Sequence, residues 1–173
     1  QGGLVKYNEE KHTFTSYIHN PDDETSIRTN FVTSILEDSK GNLWVGTNGG
    51  GLNLFDRSNG HFSAFINDPA DSNSLVDNFI NHLTEDHSGK IWIATFWGLS
   101  RFDPAALKFD HFLSDQSEST SLSQNSVFCL LEDSKHRLWA GTRNGLDLFM
   151  ENTGEFRHFT VKNGLAGNII YSL

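Results

Sequence analysis

Short apolar stretches separated by polar turns run along the whole chain, and one such stretch recurs at a nearly fixed interval. Leu43–Thr47 returns as Ile91–Thr95 and again as Leu138–Thr142, so the tryptophans of the three copies stand 48 and 47 residues apart. A second marker, Gly-Leu followed three residues later by an aromatic residue, repeats in step with the first. A period of this length indicates stacked copies of one supersecondary unit.

Each copy has the pattern of four short strands joined by tight turns. In the first full copy, residues 31–36 predict strand A, 43–47 strand B, 52–55 strand C and 61–65 strand D. Asn-Gly at 59–60 is a hairpin signal between the last two strands. No stretch shows a convincing 3.6-residue period, so almost no helix is expected. The pattern predicts a four-stranded antiparallel meander of about 47 residues, which is the size of a propeller blade.

The same pattern extends over the rest of the chain and predicts an all-β fold. In copy two the predicted strands are 79–84, 91–95, 99–102 and 108–112, and in copy three they are 127–131, 138–142, 146–149 and 155–159. The predicted units are strands C and D of a partial blade at 3–18, full blades at 31–66, 79–113 and 127–160, and strand A of a next blade at 168–173. A closed propeller usually has more blades, so residues 1–173 are expected to form a single β-propeller arc, a fragment of a longer receptor.

The composition indicates a folded domain and argues against some classes of binding partner. Charged residues make up 20% of the chain and aromatic residues 12%, which is typical of a folded domain. The net charge is −9 and no cluster of Lys or Arg is present, which argues against nucleic acid as a partner. No apolar run approaches the roughly 20 residues of a membrane span, so no direct membrane contact by this segment is expected.

Adjacent carboxylates could act as the acid and base of a glycosidase, but their spacing argues against this role. Glu-Asp pairs recur at one hairpin position in every copy, and their second members are Asp38, Asp86 and Asp133. Neighbouring strand residues point to opposite faces, whereas a glycosidase needs two carboxyl groups that face one site. We therefore interpret these aspartates as turn-capping members of the structural repeat, together with the tryptophans Trp44, Trp92 and Trp139.

Other catalytic and metal-binding patterns are not recognisable in the sequence. The eight histidines show no ligand spacing such as His-x-x-x-His. No Ser-His-Asp set, P-loop or dinucleotide fingerprint is present either, so we predict no catalytic residue, no metal and no cofactor. His82 and Cys129 share a strand A position, where they either pack in the propeller channel or face a ligand bound there.

The repeated residues resemble the two-component regulator propeller repeat. Its pattern is an apolar strand, Glu-Asp-x-x-Gly-x-Leu-Trp-x-Gly-Thr, and then Gly-Leu-x-x-Phe-Asp. In the first full copy the match is Leu36–Thr47 followed by Gly51–Asp56, and similar matches cover essentially the whole chain. Two departures are local: Ala94 replaces the Gly of the cassette, and His136 replaces the turn Gly, where a positive φ is expected.

This resemblance implies a function for the longer protein. Members of the family look like hybrid sensor kinases of Bacteroidetes-type bacteria, whose periplasmic part senses glycan fragments and switches polysaccharide-utilisation genes. It implies that the parent protein is anchored in the inner membrane and carries histidine kinase activity elsewhere. The present segment is then expected to be a non-catalytic, periplasmic sensor module.

The turn between strands B and C varies most between the copies. It is Asn-Gly-Gly in the first, Phe96-Trp97 in the second and Arg143-Asn144 in the third. In a propeller these turns and the D–A loops emerge on one face. Aromatic rings could stack on the C–H face of a sugar while Arg and Asn donate to its hydroxyls. We therefore predict a ligand site at Phe96, Trp97, Arg143 and Asn144, with packing of Trp97 against a D–A loop or a neighbouring propeller as the alternative.

Two other functions remain open at this stage. One is a purely structural arc that mediates dimerisation, because an open arc exposes apolar blade faces and buried apolar area is worth roughly 25 cal/mol per Å². A homodimer through the open blade ends, or a sensor dimer, is therefore expected. The other is a carbohydrate-active lyase or sialidase-like enzyme. The gap of three residues between the repeat Asp and the turn Gly argues against a sialidase Asp-box, in which the gap is two.

Overall fold

The computed structural model describes residues 2–173, and its strands all belong to antiparallel meanders. The strands are β1 (Leu4–Asn8), β2 (Thr13–Tyr17), β3 (Val32–Glu37), β4 (Leu43–Thr47), β5 (Leu52–Phe55), β6 (Phe62–Phe65), β7 (Ile80–Glu85), β8 (Ile91–Thr95), β9 (Gly98–Asp103), β10 (Lys108–Phe112), β11 (Val127–Glu132), β12 (Leu138–Thr142), β13 (Gly145–Met150) and β14 (Glu155–Phe159). Within the described range, a single 3-10 turn at Val161–Asn163 is the only helical element. No helix in that range is long and apolar enough to cross a membrane.

The strands form one hairpin and three four-stranded sheets. β1 pairs with β2 in the N-terminal hairpin, and blades 1, 2 and 3 are the sheets β3–β6, β7–β10 and β11–β14. Within each blade the strands lie side by side in chain order, as a meander requires. The prediction of an all-β propeller fragment is confirmed.

Residues 168–173 differ from the sequence-based expectation, because they form no strand. The segment does lie along blade 3, where the Ile170 N–H donates to the Thr142 carbonyl at 3.0 Å. A β-strand needs a ladder of such bonds to a neighbour, and within the described residues this is the one backbone–backbone hydrogen bond that residues 168–173 make.

The repeat tryptophans of blades 1 and 2 lie between blades rather than within one. Trp44 of blade 1 meets Phe102 of blade 2 edge-on at a centroid distance of 5.6 Å. Trp92 of blade 2 meets Phe149 of blade 3 in the same way at 4.9 Å. Both indoles are almost completely buried, so blades 1 and 2 each supply the ring that covers the strand C phenylalanine of the next blade.

The repeat aspartates hold these tryptophans in place. The indole N–H of Trp44 donates to Asp38 at 2.8 Å, and Trp92 donates to Asp86 at 2.7 Å. The other carboxylate oxygen of Asp38 accepts backbone N–H bonds from the turn at 3.0 and 2.8 Å. Burial opposes ionisation of Asp38, but the bonds from Trp44 and Asn42 outweigh it and keep the pKa of this carboxyl below its ordinary value. The aspartates therefore cap the A–B turn and orient the indole.

A second contact between blades involves the small residue of strand B. A methyl group placed on Gly46 would come within 2.7 Å of the Ile80 side chain of blade 2. Blade 2 has Ala94 at this strand B position, and blade 3 has Val127 at the strand A position of Ile80. Ala94 and Val127 are fully buried in one cluster. At the seam between blades 2 and 3, alanine thus replaces the glycine of strand B, and the smaller valine replaces the isoleucine of the facing strand A.

Candidate functional site

The B–C turns of blades 2 and 3 present the predicted site residues to solvent. The exposed fractions of Phe96 and Trp97 are 44% and 66%, and Arg143 and Asn144 are exposed as well. The high exposure of Trp97 is at odds with packing against a D–A loop, and packing against a neighbouring propeller stays a prediction. The face that carries these turns is called the turn face below.

Each turn is braced by the threonine that ends strand B. The Thr95 hydroxyl donates to the Gly98 carbonyl at 2.8 Å and accepts the Trp97 N–H at 3.1 Å. Thr142 makes the same two bonds in blade 3, where it accepts the Asn144 N–H at 3.0 Å. Gly98 completes the turn at φ +127°, in the left-handed region that favours glycine. The turn backbone is thus fixed while the side chains of its two central residues remain free.

The two turns lie next to each other and are joined through Ser126. The Ser126 hydroxyl donates to the Phe96 carbonyl at 3.3 Å, and the Ser126 carbonyl accepts the Arg143 N–H at 3.1 Å. A single residue of the D–A loop therefore links the aromatic turn of blade 2 to the polar turn of blade 3.

Three further aromatic side chains lie at this face, and the sequence analysis did not assign them to the site. The Phe96 ring meets Phe128 edge-on at 6.5 Å, and Phe128 packs against Tyr171 at 4.8 Å. Phe79 is joined to Phe96 by a backbone bond of 3.2 Å. Phe79 and Tyr171 are 47% and 70% exposed. All three aromatic residues occupy strand A positions of the repeat. They lie near the candidate site only because strand A is placed beside the B–C turns.

One carboxyl group lies beside the aromatic turn. Burial raises the pKa of Asp77, and hydrogen bonding to the backbone amides of Phe79, Asn78 and the Phe96–Trp97 turn opposes that rise. Asp77 directly precedes the asparagine that fixes the start of strand A, and blades 1 and 3 have Thr29 and Gln124 at this position. Among the three full blades, only blade 2, which carries the aromatic turn, therefore has a carboxyl group at this position.

A second carboxyl group is buried beneath the turn of blade 3. Asp147 is inaccessible to solvent, and one of its oxygens accepts the Ser123 N–H at 2.8 Å. The other oxygen has no hydrogen-bond partner within the described residues. Burial raises the pKa of Asp147, which favours the protonated acid in the folded state. At this position blade 1 has Asn53, whose amide nitrogen donates to the Gly51 carbonyl of the turn at 3.1 Å.

Replacing Asp147 by Asn is therefore expected to stabilise the fold at neutral pH. An amide supplies the donor that blade 1 uses and removes the cost of a buried, unpaired acceptor, about 1–3 kcal/mol. A raised folded-state pKa stabilises the fold below the unfolded-state pKa, and this stabilisation is lost as the pH rises through the folded-state value. Urea unfolding should show a gain for Asp147→Asn at pH 7 that shrinks near pH 4. A loss of stability at pH 7 would refute this account.

Comparison with known proteins agrees with this architecture. Residues 26–49, 74–97 and 121–144 match the model of the two component regulator propeller family. Each matched segment starts in the loop before strand A, passes through strands A and B and ends at the B–C turn. No curated protein matches this chain.

Solved structures share the fold. The extracellular domain of the hybrid two component system BT3049 from B. thetaiotaomicron superposes with a TM-score of 0.80 at 24% identity, over 92% of this chain and 22% of that one. The corresponding domain of BT4673 from the same organism gives 0.77 at 26%, over 98% and 22%. The chain thus spans about a fifth of the length of these domains.

A catalytically inactive virginiamycin B lyase from Staphylococcus aureus shares the fold alone. It superposes with a TM-score of 0.64 at 16% identity, over 94% of this chain and 50% of that one. The family match is of a different kind, because each of its three segments covers strands A and B of one full blade. Each of the three full blades therefore contains one repeat that matches the two-component regulator propeller family.

Proposed function

We propose that this chain is a non-catalytic sensor module in the periplasmic part of a hybrid two-component system, and that its turn face recognises glycan fragments. The family match and the likeness to two extracellular domains of such systems support the sensor role. In this proposal the parent protein carries the histidine kinase elsewhere and controls polysaccharide-utilisation genes.

The observation that carries the proposal is the exposure of Trp97 on a rigid turn. Large aromatic side chains are usually buried in soluble proteins, and Trp97 is 66% exposed although its backbone is fixed by Thr95. A fixed backbone limits the loss of conformational entropy when a ligand binds. An exposed ring on such a support is suited to stacking on the apolar face of a sugar.

The neighbouring side chains complement such a ring. Arg143 carries a guanidinium and Asn144 an amide, and both donate to hydroxyl oxygens. None of the four predicted site residues is an acid, base or nucleophile at neutral pH, in line with binding without catalysis. A ligand that contacts both turns would join blades 2 and 3. It would shift the receptor between states only by its difference in affinity for them.

Calorimetric titration with a panel of oligosaccharides tests the proposal. Trp97→Ala is expected to weaken binding by about two- to twelvefold, because a lost ring contact of this kind costs roughly 0.5–1.5 kcal/mol. Leu107→Ala is the matched control, since Leu107 is 59% exposed on a C–D turn at the opposite end of the strands. Equal affinity of Trp97→Ala and the wild type would remove Trp97 from the site. Cleavage of an oligosaccharide by the chain would contradict the non-catalytic role.

A second candidate is association of two copies through the flanks of the arc, which would make the chain a structural element of a homodimer. On the blade 3 flank, the partly exposed Trp139 packs against Phe159 at 5.7 Å. On the hairpin flank, Tyr7 and Phe14 lie 5.0 Å apart and are 50% and 70% exposed. Their counterparts inside the arc, such as Trp92 and Phe149, cover each other. The two flanks are therefore complementary to one another, which favours a head-to-tail contact.

Sedimentation velocity over a range of concentrations tests this association. We expect the wild-type chain to sediment faster as its concentration rises, and Phe14→Asp to remove the effect by placing a charge in the apolar contact. Monomeric behaviour of the wild type at the highest concentration would exclude the dimer.

A further inference from the structure

Two histidines that depart from the repeat meet at one carboxylate on the face opposite the turn face. Glu132 Oε1 lies 2.9 Å from His87 Nδ1 and 3.0 Å from His136 Nδ1. The two rings lie 4.6 Å apart between centroids. His87 belongs to blade 2 and the other two residues to blade 3, so the cluster spans the seam between these blades.

The repeat itself does not require these histidines. At the equivalent seam between blades 1 and 2, Ser39 donates its N–H and its hydroxyl to Glu85, each at 2.7 Å. His87 takes the place of that serine, and the cluster adds a second imidazole from His136. An ordinary seam contact is thus replaced by a three-residue set of two imidazoles and one carboxylate.

His136 occupies a backbone position that disfavours it. Its φ is +58°, whereas Gly41 and Gly89 stand at the equivalent positions with φ of +84° and +80°. A side chain in the left-handed region costs on the order of 1–2 kcal/mol. Strained backbone of this kind is concentrated at functional sites. Here the strained residue is the one that places the second imidazole beside Glu132.

The charges around the cluster favour a cation. The side chain of Glu132 is only 11% exposed, and within the described residues its carboxylate faces the two histidine rings and forms no salt bridge to a lysine or arginine. A cavity of about 20 Å³ adjoins the cluster, with room for about one water. Asp86, Glu151 and Arg101 line the same cavity. Arg101 is already paired with Asp110 at 2.7 Å, so negative charge predominates.

We propose that His87, Glu132 and His136 form a binding site for a divalent transition-metal ion of the Zn²⁺ class that links blades 2 and 3. Their ligand atoms all lie within 4.8 Å of one another. Tetrahedral Zn²⁺ with bonds of about 2.0–2.1 Å needs separations of roughly 3.4 Å, which the exposed His136 side chain reaches by a small movement. Without the ion, each Nδ1–H donates to Glu132. Coordination uses the Nδ1 lone pairs, so each ring exchanges this proton with solvent and carries its proton on Nε2 in the bound state. Two nitrogens and one oxygen suit Zn²⁺ and leave its fourth position open.

Titration of the untagged chain with Zn²⁺ at neutral pH, and with Co²⁺ to record its visible absorption bands, tests the proposal. The wild type should bind one ion saturably and gain thermal stability with it, because ligand binding favours the folded state. His136→Gly and His87→Ser restore the residues of the other blades and should weaken binding more than about tenfold. Since His136→Gly also removes the backbone strain, it is expected to fold at least as well as the wild type.

His61→Ala is the control, because His61 is exposed and lies outside the cluster. It should bind Zn²⁺ like the wild type. The site is refuted if the wild type shows no saturable one-to-one binding, or if His136→Gly and His87→Ser bind as tightly as the wild type. Loss of binding in His61→Ala would also refute it, because the ion would then be bound by scattered surface histidines.

Discussion

Replacing Trp92 by Ala is expected to lower the free energy of unfolding by about 3–5 kcal/mol, the range for deletion of a large buried aromatic side chain. Trp92 is 1% exposed and lies between blades 2 and 3. Its ring stacks on Phe112 at 5.3 Å and meets Phe149 at 4.9 Å. Its removal would leave a cavity between the blades and would take away the indole partner of Asp86.

Trp139→Ala is the control for this prediction, because it changes the same repeat position. Trp139 also donates to its aspartate, at 3.0 Å, but it lies on the flank of the arc and is only partly buried. Its loss should therefore cost distinctly less. Urea unfolding followed by circular dichroism gives both values. Equal losses would show that the contact between blades is not the source of the stabilisation.

Trp92→Phe separates packing from hydrogen bonding at the same site. A phenyl ring retains part of the contact with Phe112 and Phe149 and removes the N–H that Asp86 accepts. Because a hydrogen bond to a charged group contributes about 1.5–3 kcal/mol, the loss should lie below that of Trp92→Ala. This variant also keeps the comparison usable if Trp92→Ala does not fold.

A methyl group added at Gly46 is expected to destabilise the fold by about 1–3 kcal/mol, the usual cost of overpacking. The new Cβ would lie 2.7 Å from Ile80 Cγ2 and 3.4 Å from Leu83. In an open position the same change would be neutral or stabilising, because it restricts the unfolded chain. Gly167→Ala provides that control, since no atom lies within 4 Å of a Cβ placed there.

The pair Ala94 and Val127 indicates how the strain at Gly46 can be relieved. Ile80→Val removes Cδ1 and keeps the Cγ2 that the new methyl group would meet, so the relief comes from the space that lets the shorter side chain shift away. By itself the change should cost about 0.5–1.5 kcal/mol. Combined with Gly46→Ala it reproduces the Ala and Val arrangement of the next seam. The double variant should therefore be more stable than the sum of the single changes predicts. Simple additivity would show that the two positions do not share the same space.

The candidate site at the turn face was predictable only in part. Phe96, Trp97, Arg143 and Asn144 stood out because they vary where the rest of the cassette repeats, and all four are exposed on the turn face. The aromatic side chains from strand A at the same face carried no separate signal. Phe79 is exposed and the next residue, Ile80, is buried, but both are apolar and look alike in the sequence. Only the position of the neighbouring turns in the structure distinguishes them.

The histidine cluster could not be found from spacing. His87 and His136 are 49 residues apart, and each looks like an isolated substitution in a turn. They meet at Glu132 because blades 2 and 3 lie side by side, which brings the A–B turn of one blade against that of the next.

The sequence alone determined the strands of the hairpin and of the three full blades, their order and the propeller repeat, because antiparallel meanders are set by local alternation, turn residues and a period that recurs in the chain. It also determined the capping role of Asp38, which acts on residues two to six positions away. Only the tertiary structure decided which side chains meet between blades, such as Trp92 with Phe149. Those contacts join residues that lie about one repeat or more apart in the chain. Their geometry depends on how the packed sheets are rotated and spaced, which no local pattern specifies.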